Sequence, residues 1–431
     1  MYKKSRQKAR ELIVQDLFRH NLIFFFGSLS IAVLNYLYYP VISRLVSVSS
    51  FGEIQAIISI FMQLGILLTA FGYVVTHIIN NEKSRESSKI VILQLEKATL
   101  IIAIIVLFFL SLGSFLLRNS LQFSSALPFA LVGLLVVLSV PSTSRTFILQ
   151  GLKQLKQVSL SGIIFAFSKL LISVLLIIAG FSVAGVMSAY IIAQILALVY
   201  LLRKTKKDYP SLFESVKFIR LNKPTESQNK TIKREMVYAS AIIVLLFSIT
   251  ILYTFDVVVA RLFLSPENAG AYSGISVIAR IVYFVTASVA GVLIATVKLQ
   301  YGYLKSRMIL LKSFGMVVLI GGSIAVLFAL IPDLMVKILL GPNYAGVAYL
   351  LPAMALLMLI CSFNNLLVCF QIARRQYRAI IGTLFGLVAL AVLLVFMHSG
   401  YYDIIISYII SNVITFVILS VQILKKGAAS E

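Results

Sequence analysis

Apolar runs of about twenty residues or more alternate with short polar gaps along the whole chain. That length fits helices crossing a bilayer about 30 Å thick. Strands of a membrane barrel would be about 10 residues long and would alternate in polarity. The pattern predicts twelve spanning helices, at 22–45, 51–78, 91–117, 124–149, 157–179, 182–203, 236–262, 269–297, 309–332, 345–371, 377–398 and 402–424. The expected fold class is therefore an all-α polytopic membrane protein. The gap 203–235 is the one long interruption, with Pro210, Pro224 and a Ser/Thr/Asn/Lys-rich stretch. It reads as a linker. The expected organisation is a six-helix half over 1–203, a cytoplasmic loop over 204–235 and a second six-helix half over 236–431.

Composition agrees. Apolar residues make up 60% of the 431 residues and charged ones only 12%, and mean hydropathy is +1.01. Soluble domains are nearer half apolar and a quarter charged. The formal net charge of +23 does not mark a nucleic-acid binder, because the cations are spread over many short gaps and form no single patch. Every second gap is basic. With the N-terminus inside, 32 of the 38 Lys and Arg fall to the cytoplasmic side. Four fall outside (Arg44, Arg118, Arg261 and Lys337), and two lie deep within spans. Such a bias is the positive-inside rule, and one missed span would scramble it.

The N-terminal segment carries Lys3, Lys4, Arg6, Lys8, Arg10 and Arg19 before the first apolar run. That run is too long for a cleavable signal. Leu12, Ile13, Leu17 and Phe18 recur at helical spacing, as in a helix lying on the membrane surface. A second such helix is expected around 211–220. The halves also look repeated. Span one closes on Arg44-Leu45 ahead of Ser50-Phe51-Gly52-Glu53, and span seven closes on Arg261-Leu262 ahead of Asn268-Ala269-Gly270-Ala271-Tyr272. Six spans per half make the repeat parallel, which favours an alternating-access transporter.

Catalytic constellations are missing. No phosphate-binding G-x-x-x-x-G-K-[ST] loop occurs. His20, His77 and His398 are scattered near span ends and form no metal cluster. Cys361 and Cys369 lie in one apolar run and read as core residues. The tetrads Gly270–Gly274 and Gly382–Gly386 permit close helix packing. The chemistry lies instead in two buried cations, Lys169 and Arg280, each near the middle of a span. A cation in hydrocarbon costs roughly 2.5–3.5 kcal/mol on insertion scales. Two of them point to an anion site. Asp256 is the one acid this reading places inside a span. It serves either as a partner of Arg280 or Arg261, or in gating and cation coupling. Arg44 and Arg261, which close their spans, and Pro40, which can bend span one, are the other gating candidates.

The stretch Asp256-Val257-Val258-Val259-Ala260-Arg261-Leu262-Phe263-Leu264-Ser265-Pro266-Glu267-Asn268-Ala269-Gly270-Ala271-Tyr272 resembles the seventh-to-eighth-helix signature of the Wzx-type polysaccharide flippases. These belong to the multidrug/oligosaccharidyl-lipid/polysaccharide exporter superfamily. Ser144-Arg145-Thr146-Phe147-Ile148-Leu149-Gln150-Gly151, the Gly52 turn and Gly341-Pro342-Asn343-Tyr344 are similar to other parts of the same pattern. The resemblance implies two six-helix bundles around a central cavity. It also implies transport of an undecaprenyl-diphosphate-linked oligosaccharide from the inner to the outer leaflet of a bacterial cytoplasmic membrane, with both termini cytoplasmic. No cofactor is implied, and the coupling ion, Na⁺ or H⁺, stays open. The expected partners are the lipid-linked oligosaccharide, the phospholipid bilayer, and the polymerase and glycosyltransferases of the same pathway, with no nucleic acid.

In that setting Lys169 and Arg280 would hold the diphosphate. Sugars favour polar and aromatic walls, for which Asn35, Tyr36, Tyr38 and Tyr39 in the first half and Tyr253, Tyr283, Asn364 and Asn365 in the second are candidates. Two alternatives remain. A drug or cation antiporter of the same superfamily would want acids in its cavity. A membrane polymerase or ligase, the enzymatic alternative, would want a large external loop bearing Arg or His.

Overall fold

The structure, a computed structural model, describes residues 26–81, 85–206, 225–297, 302–374, 376 and 378–428. The surface helices expected near 12–18 and 211–220, and His20, lie outside the described residues. Among the described residues there are twelve helices long and apolar enough to cross a membrane, and no strands. In order they are Phe26–Leu45, Val48–Ile79, Ser88–Leu112, Leu127–Gly151, Leu155–Ile178, Val183–Thr205, Gln228–Thr254, Pro266–Ile294, Leu304–Leu330, Pro342–Ala373, Ala379–Phe396 and Tyr401–Leu424. They are numbered below as spans 1 to 12. Span 10 starts with a 3₁₀ turn, Pro342–Leu350, before its α-helix.

Three departures from the sequence pattern matter. The helix of span 7 already starts at Glu226, inside the stretch expected to be a loop. It stops at Thr254, and after a break at Phe255 a second helix runs Asp256–Phe263. Short helices also follow span 3 (Ser114–Ser120) and span 9 (Pro332–Leu339). Local chemistry sets several of these ends. Ser265 accepts a hydrogen bond from the Asn268 N–H, and Pro266 opens the helix of span 8, as a capping serine and a first-turn proline should. Gly341, at φ +107°, ends Pro332–Leu339 in a conformation that costs a residue without Cβ little.

The chain divides into two compact units. One comprises Met1–Tyr38, Leu67–Ser114 and Leu127–Ala239; the other comprises Tyr39–Ile66, Phe115–Ala126 and Ser240–Glu431. In the first unit Phe71, Val74 and Val75 of span 2 pack with Val91, Ile92 and Ile148. In the second, Ile249, Leu293, Leu366, Phe370 and Leu419 lie in one core cluster. Large apolar side chains such as Phe108, Leu116, Phe385 and Phe396 stay exposed. A soluble protein rarely leaves so many large apolar side chains exposed, whereas lipid covers them.

Within the second unit, segments from the two sequence halves exchange contacts. Arg44, from span 1, donates to the carbonyls of Lys337 (3.2 Å) and Ile338 (2.7 Å), at the end of the short helix after span 9. Arg261 donates to the carbonyls of Leu121 (3.0 Å) and Gln122, just past the short helix after span 3. Both helix ends have carbonyls without intrahelical partners, and a cation suits them. Arg261 also lies 3.7 Å from Glu53. Glu53 in turn accepts from the Ser124 N–H (3.0 Å) and hydroxyl (2.9 Å). Gly52 and Gly270, read above as equivalent turns of a repeat, pack against each other. A Cβ on Gly52 would lie 2.6 Å from the Gly270 Cα, and one on Gly270 would collide with the Val48 carbonyl. Gly274, one turn on, makes room for the ring of Tyr344. The Gly270–Gly274 tetrad thus serves packing inside this chain.

Candidate functional site

In the first unit, Lys169 lies in span 5, about 14 Å from the nearer helix end at 1.5 Å per residue. Its side chain is too short to reach an interface from there. Only 5% of it is exposed. Its ammonium donates to the Asn35 side-chain oxygen on span 1, at 2.6 Å. Three rings surround it: Tyr38 at 4.6 Å, Tyr190 at 5.1 Å and Phe165 at 5.8 Å from the charge to the ring centroid. All lie within the distance at which a ring face attracts a cation, worth roughly 0.5–2 kcal/mol each. Tyr38 and Tyr190 meet edge to face, as do Phe165 and Tyr190. Among the described residues, no carboxylate lies within ion-pair distance of Lys169. The sequence reading named Asn35 and Tyr38 but missed Phe165 and Tyr190. Phe165 stands four residues before Lys169, a spacing that stacks side chains on one helix face. Tyr190 carries no comparable local signal.

In the second unit, chemistry gathers at the break in the seventh span. Stopping a helix at Thr254 strips its last carbonyls of their i+4 donors. Side chains from other helices replace those donors. Arg280 on span 8 donates to the Thr254 carbonyl at 2.9 Å, and Asn412 on span 12 donates to that of Leu252 at 3.1 Å. Asp256 opens the next helix, where a carboxylate is favoured by the helix dipole. It accepts from Arg280 at 2.8 Å and from the Ser276 hydroxyl at 2.5 Å. All three are buried. Arg280 is thus neutralised by Asp256 here, the pairing that the sequence left open. Ser276, missed from sequence, is four residues before Arg280.

The other expected wall residues fall around this break or apart from it. Tyr253 and Tyr283 stack face to face, 4.0 Å between centroids. Tyr39 and Tyr253 both lie within electrostatic reach of Arg280. Asn364 donates to the side-chain oxygen of Asn412 at 3.0 Å. Cys361 also meets that oxygen, at 3.4 Å, so this buried thiol belongs to the polar network. Asn365 accepts only a long contact from Cys369. Tyr36 is half-buried, with no hydrogen bond or ring contact to either cluster among the described residues. Pro40 lends its carbonyl to Arg44 at 2.7 Å.

The expectation of one acid in the spans is overturned. Glu53 and Glu96, which the expected spans 51–78 and 91–117 already enclosed, and Glu235 are buried in spanning helices. Glu96 accepts from Ser144 at 2.7 Å and lies 3.7 Å from Arg145. Arg145, which the charge count assigned to the cytoplasmic side, is fully buried within span 4. Glu235 lies 3.2 Å from His77 and 3.1 Å from Arg234. Among the described residues, no three His, Cys, Asp or Glu side chains group as a metal site.

Twelve helices long and apolar enough to span a bilayer, with a buried polar cluster in each unit, define a polytopic membrane protein. Solved structures share the fold. An outward-facing multidrug resistance MATE family transporter of the MOP superfamily superposes with a TM-score of 0.63 and 15% identity, over 96% of this chain and 95% of that one. A MATE transporter in the bent conformation gives 0.60 and 15%, with 96% of each chain covered. A MOP superfamily transporter from Pyrococcus furiosus, described as having a binding pocket of reverse polarity, gives 0.58 and 16%, with 93% of each covered. No curated protein matches. Residues 18–297 match the sequence profile of the family described as polysaccharide biosynthesis protein, and the chain belongs to that family. The resemblance to Wzx-type flippases of this superfamily therefore stands.

Proposed function

We propose that the chain is a flippase for an oligosaccharide linked to undecaprenyl diphosphate. It carries its substrate from the inner to the outer leaflet of a bacterial cytoplasmic membrane by alternating access, for surface polysaccharide synthesis. The observation that carries this reading is Lys169. A buried ammonium with only a neutral amide and ring faces around it wants an anion, and a lipid diphosphate brings one to membrane depth. Family membership in polysaccharide biosynthesis supports the same substrate class. The broken seventh span supports transport, since discontinuous helices are where transporters build substrate and ion sites. Arg280 then has a second task. Held by Asp256 here, it becomes a bidentate phosphate ligand wherever the carboxylate lets go. The stacked Tyr253 and Tyr283 offer the sugars an aromatic wall.

The test is a proteoliposome assay with a fluorescent undecaprenyl-diphosphate oligosaccharide, scored by quenching of the outer leaflet. Lys169→Gln at normal abundance should flip at least about tenfold more slowly, roughly the 1.4 kcal/mol that separates decades of rate. Wild-type flipping by this variant would refute the reading. The multidrug MATE fold favours one rival, an organic-cation antiporter. The same vesicles loaded with ethidium measure it directly: pH-driven ethidium export without lipid flipping would establish the rival.

A further inference from the structure

The arrangement around Lys169 has the form of a site for an organic cation. Three ring faces at 4.6, 5.1 and 5.8 Å and a carbonyl oxygen at 2.6 Å converge on one ammonium. Aromatic cages of this kind recognise alkylammonium ligands. Here the ligand is tethered. A lysine side chain is butylammonium joined to the backbone, and its charged end sits where a free cation would. We propose that Lys169 is the built-in occupant of an organic-cation cage formed by Asn35, Tyr38, Phe165 and Tyr190, and that it sets the charge selectivity of the first unit by excluding free cations.

Two consequences follow from one side chain. While the cage is filled, a soluble amine meets both a steric block and a like charge, the repulsive half of specificity. The filled cage also leaves the first unit with a fixed positive charge, so the ligand it accepts must be an anion. Removing the side chain reverses both conditions. Lys169→Ala, which keeps Cβ, leaves a void the size of propylammonium, lined by the same rings and oxygen, with no charge of its own. The inference rests on the flippase reading only for the anion. The cage itself can be tested without any transport.

The experiment is thermal unfolding of purified wild type, Lys169→Ala and Lys169→Met in detergent. Each is measured with n-propylammonium chloride and with sodium chloride at equal ionic strength. Propylammonium should raise the midpoint of Lys169→Ala by about 2 °C or more over sodium. Wild type and Lys169→Met, whose cages remain filled, should show no difference. The double variant Lys169→Ala/Tyr190→Leu should lose the shift. If Lys169→Ala does not fold, Lys169→Ser is measured in its place, with the same shift expected. A folded variant with no shift, or an equal shift in wild type, overturns the proposal. Undecaprenyl diphosphate binding provides the second measurement. Propylammonium should restore to Lys169→Ala at least about half of the binding lost with the lysine. A midpoint shift without flipping by wild type would keep the cage and discard the flippase. Flipping by wild type with no shift in the variant would do the reverse.

Discussion

Asp256 and Arg280 show what depth in a span does and does not reveal. Arg280 was legible because a lone cation in an apolar run is conspicuous, and Asp256 for the same reason. Their 2.8 Å pairing joins residues 24 apart on two helices, and no periodicity encodes such a contact. The pair predicts its own energetics. Removing one member leaves an uncompensated buried charge, at roughly 3–5 kcal/mol, whereas removing both leaves a cavity with little charge. Arg280→Met should therefore lower the thermal midpoint markedly. Arg280→Met with Asp256→Asn should recover most of the loss. Additive losses in that cycle would mean the two groups act independently. The buried acids Glu53, Glu96 and Glu235 escaped notice for a related reason. Each stands near a polar gap, where a sequence reads as solvated, and the residues that hold it are far along the chain, as Arg145 is for Glu96 and Arg261 for Glu53. The same holds for Tyr190 beside Lys169.

Helices as elements were far easier to read. Bilayer thickness fixes their length, so the apolar runs marked twelve spans with ends a few residues off, except the seventh, whose helix Glu226–Thr254 lies well ahead of the expected 236–262. What the runs concealed was interruption. The break at Phe255 contains no proline or glycine. It is stabilised by donors from other helices, Arg280 and Asn412, which capture the freed carbonyls. The short helices Ser114–Ser120 and Pro332–Leu339 are apolar enough to pass as span ends. Helix crossing follows from small residues, and the Gly52–Gly270 approach is the closest case to test. With backbone atoms directly against each missing Cβ, Gly270→Val cannot be absorbed by a rotamer change. We expect a sharp fall in folded protein, read as monodisperse yield in size-exclusion chromatography. Gly291→Ala, where a Cβ meets open space, should give normal yield. Equal yields would remove the close crossing from the account.

For the whole molecule, the charge count makes a topological prediction. With Ser227 inside and Glu267 outside, an impermeant thiol reagent on intact cells should label Glu267→Cys and spare Ser227→Cys, in a background lacking Cys361 and Cys369. The opposite pattern would invert the map. Three of the four cations assigned outside turn out to bind backbone carbonyls. Arg44 and Arg261 hold the ends of short helices, and Arg118 contacts the Phe123 carbonyl at 3.4 Å. Those exceptions to the positive-inside bias thus have structural reasons. Arg44 and Arg261 also act reciprocally, each finding acceptors in the opposite half of the sequence besides one in its own. Each half thus supplies carbonyls that the other half's arginine binds. A gene split between codons 206 and 225 should therefore yield two polypeptides that survive only together. Co-expressed, they should co-purify and restore surface polysaccharide, while each alone is degraded. Arg44→Ala and Arg261→Ala should weaken that reunion far more than they weaken the uncut protein, because covalent continuity supplies the high effective concentration that two separate chains lack.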